Sequence, residues 1–314
     1  MSSPTDKVIK SECVRATIEK DKAEVSVPTG VSAKTSSLNL RGEFPLLLLG
    51  LVLLLTYIPV IIDLVKDWWQ DPNYSHGFLV PFVSIYLVYK RWPELAISEK
   101  KSCWWGLTLV IFGLLLLILG TAGAEYFTVR FSLVAVLAGL VAYLYGKKFL
   151  GLLLVPICYL LFMIPIPYTI YYGLTLPMQL FASKCAVGVL QFLGIPLFRA
   201  GNIIILPNYS LEVGEACSGL RSLVSLMALG FLFAYLSQKH NLNRAILFAS
   251  TPIIAIIANV FRVSTTALGA YAVSPKLAED FLHKLSGLLV FVCSVFCLVI
   301  LGGILSWVQK RKES

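Results

Sequence analysis

Residues 173–194 read GLTLPMQLFASKCAVGVLQFLG. The stretch is mostly apolar and long enough to cross a bilayer, which takes about 20 residues as a helix. Yet Gln179, Lys184 and Gln191 recur along it at helix-like spacing, a pattern that suits a helix lying in an interface or re-entering it. An ordinary span with a snorkelling Lys184 is the alternative. How this stretch is read decides how often the chain crosses and which residues share a side.

The surroundings place it in a membrane. The 314 residues are 58% hydrophobic and 14% charged, against about 25% charged for a soluble domain. Mean hydropathy is +0.82. Apolar runs predict spans at about 44–65, 76–92, 104–122, 127–145, 149–166, 218–236, 245–266 and 285–307. Residues 1–43 are polar and aperiodic, and read as a disordered cytoplasmic tail. They are not a signal peptide, because no apolar core follows within the usual distance. Residues 44–307 form one integral membrane domain, and 308–314 a short basic cytoplasmic tail.

Basic residues set the orientation. The N-terminal tail, the 90–103 loop with Lys90, Arg91, Lys100 and Lys101, the Lys147-Lys148 turn, Lys239 with Arg244, and Lys310-Arg311-Lys312 hold most of the 26 Lys and Arg. All of them belong on the cytoplasmic side. The net charge of +9 then reflects loop bias and not a nucleic-acid partner. With 147–148 and 237–244 both inside, the fifth span exits near Pro165-Ile166-Pro167 and the sixth enters from outside. Parity therefore forbids a single crossing by 173–194. Asn202, Pro207-Asn208 and Ser210 are turn formers between apolar residues, and predict a short extracytoplasmic hairpin over about 202–213. The fold class is an all-α polytopic membrane protein of about eight transmembrane helices, one interfacial or re-entrant helix and this hairpin.

The same counting brings Cys217, Arg262 and His283 to one outer layer. Cys217 lies in EVGEACSGLRSL (212–223) and is predicted to start the sixth span. There the helix dipole and Arg221, one turn on, favour thiolate. Arg262 lies near the outer end of the seventh span, sharing a face with Asn259. It can hold the oxygen of a tetrahedral intermediate. His283 precedes the eighth span and can shuttle a proton. Together they specify acyl transfer through a thioester. Taken singly, each has a plainer reading: an inert helix-start thiol, a snorkelling Arg262, a solvated interfacial His283. Glu212, Glu215 and Ser218 flank the thiol as candidate supporting or substrate-binding residues, or as solvated loop groups.

Four of the seven cysteines, Cys158, Cys185, Cys293 and Cys297, sit in apolar helical context, and there is no CxxC pair. A disulfide framework is not expected. No ligand cluster calls for a metal, and no cofactor is implied. His76 sits at the outer start of the second span, lining the site or lying plainly at the interface. His240 is solvated in a cytoplasmic loop. Asp63 and Arg130 lie near outer span ends and pair with each other or with Glu125. Trp68-Trp69 and Trp104-Trp105 read as interface belts.

EACSGLRSL, then NVFRV about 40 residues later, then a histidine before the last helix, resembles the exosortase/archaeosortase family. YSHGFLVP (74–81) and GN-x-I-x-LP (201–207) resemble it too, and the likeness runs over about 44–307. The resemblance implies a multi-pass transpeptidase that cleaves C-terminal sorting signals: a short motif such as Pro-Glu-Pro, an apolar helix and a basic tail. It implies Cys217 as nucleophile with Arg262 and His283 as its catalytic partners; the basic loops put both termini on the inside of the cytoplasmic membrane and the site on its outer face. The expected partners are sorting-signal proteins, lipid, and an acceptor amine or water. The rivals are a transporter or channel, which needs midplane polar residues on several helices, and a non-catalytic factor for exopolysaccharide or protein export. A thiol oxidoreductase would need a second cysteine beside Cys217.

Overall fold

The structure is a computed structural model. It describes the backbone of residues 40–207, 209–214, 219–272 and 283–313, with side chains between 48 and 312 in those stretches other than 283–285. Residues 1–39 of the expected N-terminal tail, Glu215, Cys217, Ser218 and the side chain of His283 lie outside it; residues 40–43 of that tail are helical. Contacts divide the chain within its first helix, into Met1–Thr56 and Tyr57–Ser314. The first unit contributes the beginning of α1 (Leu40–Gln70); everything below concerns the second.

After α1 comes a 3-10 turn, Pro72–Phe78. Then follow α2 (Leu79–Lys90), α3 (Trp92–Ile97), α4 (Trp104–Ala122), α5 (Tyr126–Tyr145) and α6 (Lys147–Tyr159), with a 3-10 turn at Leu160–Met163. The chain continues as α7 (Tyr168–Phe192), β1 (Phe198–Ala200), β2 (Ile203–Leu206), β3 (Tyr209–Glu212), α8 (Leu220–Ser237), α9 (Asn241–Ala272) and α10 (His283–Glu313). Among the described residues seven helices are long and apolar enough to cross a membrane: α1, α4, α5, α7, α8, α9 and α10. The polytopic, helical class is thus the observed one.

The two other predicted spans are built from shorter α-helices. The predicted spans 76–92 and 149–166 contain α2, of 12 residues, and α6, of 13. Each is continuous with a 3-10 turn, before α2 and after α6, so the helical stretches 72–90 and 147–163 reach about 30 Å, the thickness of a hydrocarbon core. They pack on one another, and one tie explains how α6 ends. Leu160 N–H turns to Ile157 O in 3-10 fashion, which releases the Pro156 carbonyl, and Ser84 Oγ donates to it at 2.9 Å.

The segment expected at an interface, α7, is a 25-residue helix with Pro177 inside it. Its length and composition match those of the spanning helices. The polar pattern that set it apart divides in two. Gln179 and Ser183 are buried against protein, and Lys184 and Gln191 are exposed. Ala182, Ala186 and Leu190 follow the buried side and meet Val263, Ala267 and Ala270 of α9.

The hairpin is a three-stranded antiparallel sheet, β1-β2-β3. Ala200 pairs with Ile203 across Gly201-Asn202, where Gly201 has φ +65. Only glycine takes that conformation without strain. Alternation then buries Ile204, Leu206 and Leu211 in the core shared with α7 and α9.

On α4, Gly106, Gly113 and Gly120 recur every seven residues and let α5 approach closely. Any Cβ at Gly106 would strike the Tyr143 backbone, and one at Gly113 would meet Val136. Close approach through glycine is a common way to associate helices in lipid, where burial drives little. Leu226, Leu247 and Leu298 join α8, α9 and α10. Gln238 Nε2 donates to Gly302 O at 2.9 Å, and Asn243 Nδ2 to Gln309 Oε1 at 2.7 Å. These bonds put the end of α8, the start of α9 and the end of α10 together. The start of α8, the end of α9 and the start of α10 share the opposite end.

Two charge and aromatic assignments are corrected. Arg130 is buried and pairs with Asp67, not with Asp63 or Glu125. Asp63 pairs with Lys66 at 3.1 Å. Glu125 caps α5, and hydrogen bonding from Thr128 holds its carboxyl below the usual range. Trp68 is no belt residue: it is 7% exposed and its Nε1 donates to Met163 O at 2.9 Å. Trp69, Trp104 and Trp105 are exposed.

Candidate active site

The turn at 72–78 is fixed on several sides. Asp71 caps it, its carboxylate accepting from Asn73 N–H at 2.8 Å, and Pro72 follows with φ set for a turn. Gly77 lies against the Trp68 ring, leaving no room for a Cβ. Tyr74 Oη accepts from Ile166 N–H at 3.2 Å. His76 Nε2 lies 3.1 Å from Phe162 O. A carbonyl only accepts, so Nε2 carries the proton, and Nδ1 accepts from Ser225 Oγ at 3.3 Å. The turn lies outside the seven spanning helices, and burial lowers the His76 pKa. That favours the neutral ring.

The start of α8 meets this turn. Gly219 caps α8 with φ +79, in the left-handed region. Here a glycine is required twice over, because a Cβ would also overlap the amide of Asn259. Asn259 is 3% exposed. Arg221 Nε donates to Asn73 Oδ1 at 2.6 Å. Three residues beyond Asn259 along α9, Arg262 is half-buried, and a Cβ on Gly287 of α10 would stand 3.6 Å from its Cζ. Gly287 thus lies beside the guanidinium, with room for an ordinary contact.

These pieces enclose a cavity of about 610 Å³. Ser75, His76, Arg221, Ser222, Ser225 and Arg262 supply its polar lining, and Leu79, Leu288 and Phe291 its apolar rim. The described lining holds two guanidiniums and no carboxylate. Such a site favours negative charge: a thiolate, or an oxyanion formed in reaction. A second cavity of about 520 Å³ lies where Tyr74, Asp67 and Arg130 meet the 165–169 segment. Its buried cation is already paired, and it holds none of the predicted site residues.

Of those residues, the structure places Arg262, Arg221 and His76 on the larger cavity, with Asn259 against Gly219 in its wall. Glu212 ends β3 and is exposed; it does not line the cavity. Cys217 was expected to start a helix and to share a face with Arg221. That residue lies outside the described ones; the helix is described from Leu220, with Gly219 turning left-handed just before it. His283 begins α10, one turn before Gly287. Asn73, Ser222 and Ser225 had not been singled out. The YSHG stretch drew attention to their neighbourhood, but the partner across from it was not legible.

In this polytopic helical protein, helix ends gather two arginines, an imidazole and serines around one cavity. The family model for the transmembrane exosortase (Exosortase_EpsH) matches residues 68–300, and the chain belongs to that family. No curated protein and no solved structure matches it. Membership implies the processing of sorting-signal proteins. The match takes in the 72–78 turn, the sheet, Arg262 and the start of α10.

Proposed function

We propose that the chain is a cysteine transpeptidase that cleaves C-terminal sorting signals at the outer face of the cytoplasmic membrane. The carrying observation is the convergence on one cavity wall of Gly219, Arg262 and Gly287. Gly219 is two residues after Cys217, and Gly287 is one helical turn after His283. Three segments remote in sequence thereby meet at one cavity, with Gly287 beside the Arg262 guanidinium and Gly219 against Asn259, one turn before it.

The chemistry follows from those groups. The Cys217 thiolate attacks the scissile carbonyl carbon, and the π electrons move to oxygen. Arg262 holds that oxygen through charge-assisted hydrogen bonds. His283, having taken the thiol proton, gives it to the departing amine as the C–N bond breaks. The signal's apolar helix leaves and a thioester remains on Cys217. An acceptor amine or water attacks the thioester, loses its proton to His283, and returns the sulfur as thiolate. Neutral His76 sits in the wall as an anchor for Ser225.

The orientation rests on the basic loops. A signal with an apolar helix and a basic tail inserts by the same rule, which brings its motif to the cavity end of the helices. An impermeant maleimide added to intact spheroplasts tests this placement. In a chain whose other six cysteines are serine, labelling of Cys217 from outside is expected. Labelling that requires opened membranes would reverse the orientation.

A further inference from the structure

Arg221 is held in a way a loose surface cation is not. Its Nε donates to Asn73 Oδ1 at 2.6 Å. Asn73 is fixed in turn, since Asp71 takes its backbone N–H. The 72–78 turn that carries it is tied to 162–166 through Tyr74 and His76. One turn along α8, Ser225 meets His76. Two successive side chains on one face of α8 therefore rest on the same turn.

Anchoring through Nε has a geometric consequence. Guanidinium is a planar fork of five donors. A bond made through Nε leaves the donors on Nη1 and Nη2 to serve a ligand in the cavity that Arg221 helps to line. Lysine cannot copy this arrangement, because its single ammonium serves either Asn73 or a ligand.

We propose that Asn73 is a positioning residue that aims Arg221, and that Arg221 Nη1 and Nη2 grip acceptor oxygens of the substrate chain lying in the cavity. This rests on the cavity being the transpeptidase site. The pair binds and moves no proton, so its loss falls on KM more than on kcat.

The test is steady-state cleavage by the full chain in detergent. The probe is a reporter ending in a Pro-Glu-Pro motif, an apolar helix and a basic tail, of the composition the wild type cleaves. Asn73→Ala is expected to raise KM about tenfold, the scale of a lost hydrogen bond to a charged group, with kcat within about twofold. Asn73→Asp keeps an acceptor oxygen and is expected to restore KM. Arg221→Lys is expected to match Asn73→Ala, and the double variant to be no worse than Arg221→Lys alone. Additive losses, no rescue by Asp, or a fall in kcat at constant KM would overturn the assignment. A Cys217→Ala control separates the two claims. If that variant still cleaves, the thioester reading falls, while the cycle read on the same cleavage still decides whether Asn73 acts through Arg221.

Discussion

Cys217→Ala is expected to stop sorting-signal processing and leave the protein inserted and folded. Precursor should accumulate with its C-terminal helix attached. The expected loss is on the order of 10⁴-fold or more, because removing a nucleophile leaves only binding and oxyanion stabilisation. Alanine fits wherever cysteine does, so no steric cost accompanies the change. Seven cysteines are present, which makes the pattern of replacement informative. Cys158 and Cys185 are half-buried in helices of apolar character, and Cys293 and Cys297 are exposed along α10. Alanine at those four positions is expected to leave processing within about twofold, as for surface and small core changes. Immunoblotting of a reporter for loss of its C-terminal helix reads both outcomes. Normal processing in Cys217→Ala would remove the nucleophile assignment.

The second large effect belongs to Arg262. Arg262→Gln keeps much of the volume beside Gly287 and removes the charge. Loss of one oxyanion donor in a preorganised site costs about 10²–10³-fold in kcat, and that fall is expected here. Arg262→Lys is expected to recover only part of it, since a point charge replaces a fork. The variant should still be labelled at Cys217 by a small maleimide, which shows the fold and access intact. A kcat within a few-fold of wild type in Arg262→Gln would make the arginine a packing residue of the α9–α10 contact.

The fold was readable where burial and charge alone decide. Apolar runs located the helices, basic loops marked their ends, and turn formers around 201–208 located the sheet. Chain direction was the limit elsewhere. The apolar runs at 76–92 and 149–166 continue through 3-10 turns, and hydropathy does not register that the helices within them are short. Gln179 of α7 faces protein while Lys184 and Gln191 are exposed, and the sequence showed their spacing but not which of them a neighbour covered. Asp63 and Asp67 share a face of α1 at i,i+4 spacing. Which of them meets Arg130 depends on how α1 is rotated against α5, a tertiary fact.

The site divides in the same manner. Arg262 and Asn259 were visible because arginine and asparagine in an apolar helix demand a reason. His76 came with its motif. Asn73 and Ser225 carry no such signal. They are ordinary polar residues whose importance arises only when α8 is laid on the 72–78 turn. The left-handed Gly219 was likewise hidden, since a glycine before a helix is common and its contact with Asn259 is long-range.

The central claim is a thioester on one sulfur. The most direct measurement is the mass of the enzyme quenched in acid during turnover of the reporter. The account predicts an adduct equal to the reporter fragment upstream of the cut, mapped to the peptide containing Cys217 and released by neutral hydroxylamine. An adduct on another residue, or an enzyme of unchanged mass at every quench time while cleavage proceeds in the wild type and in Cys217→Ala alike, would contradict it.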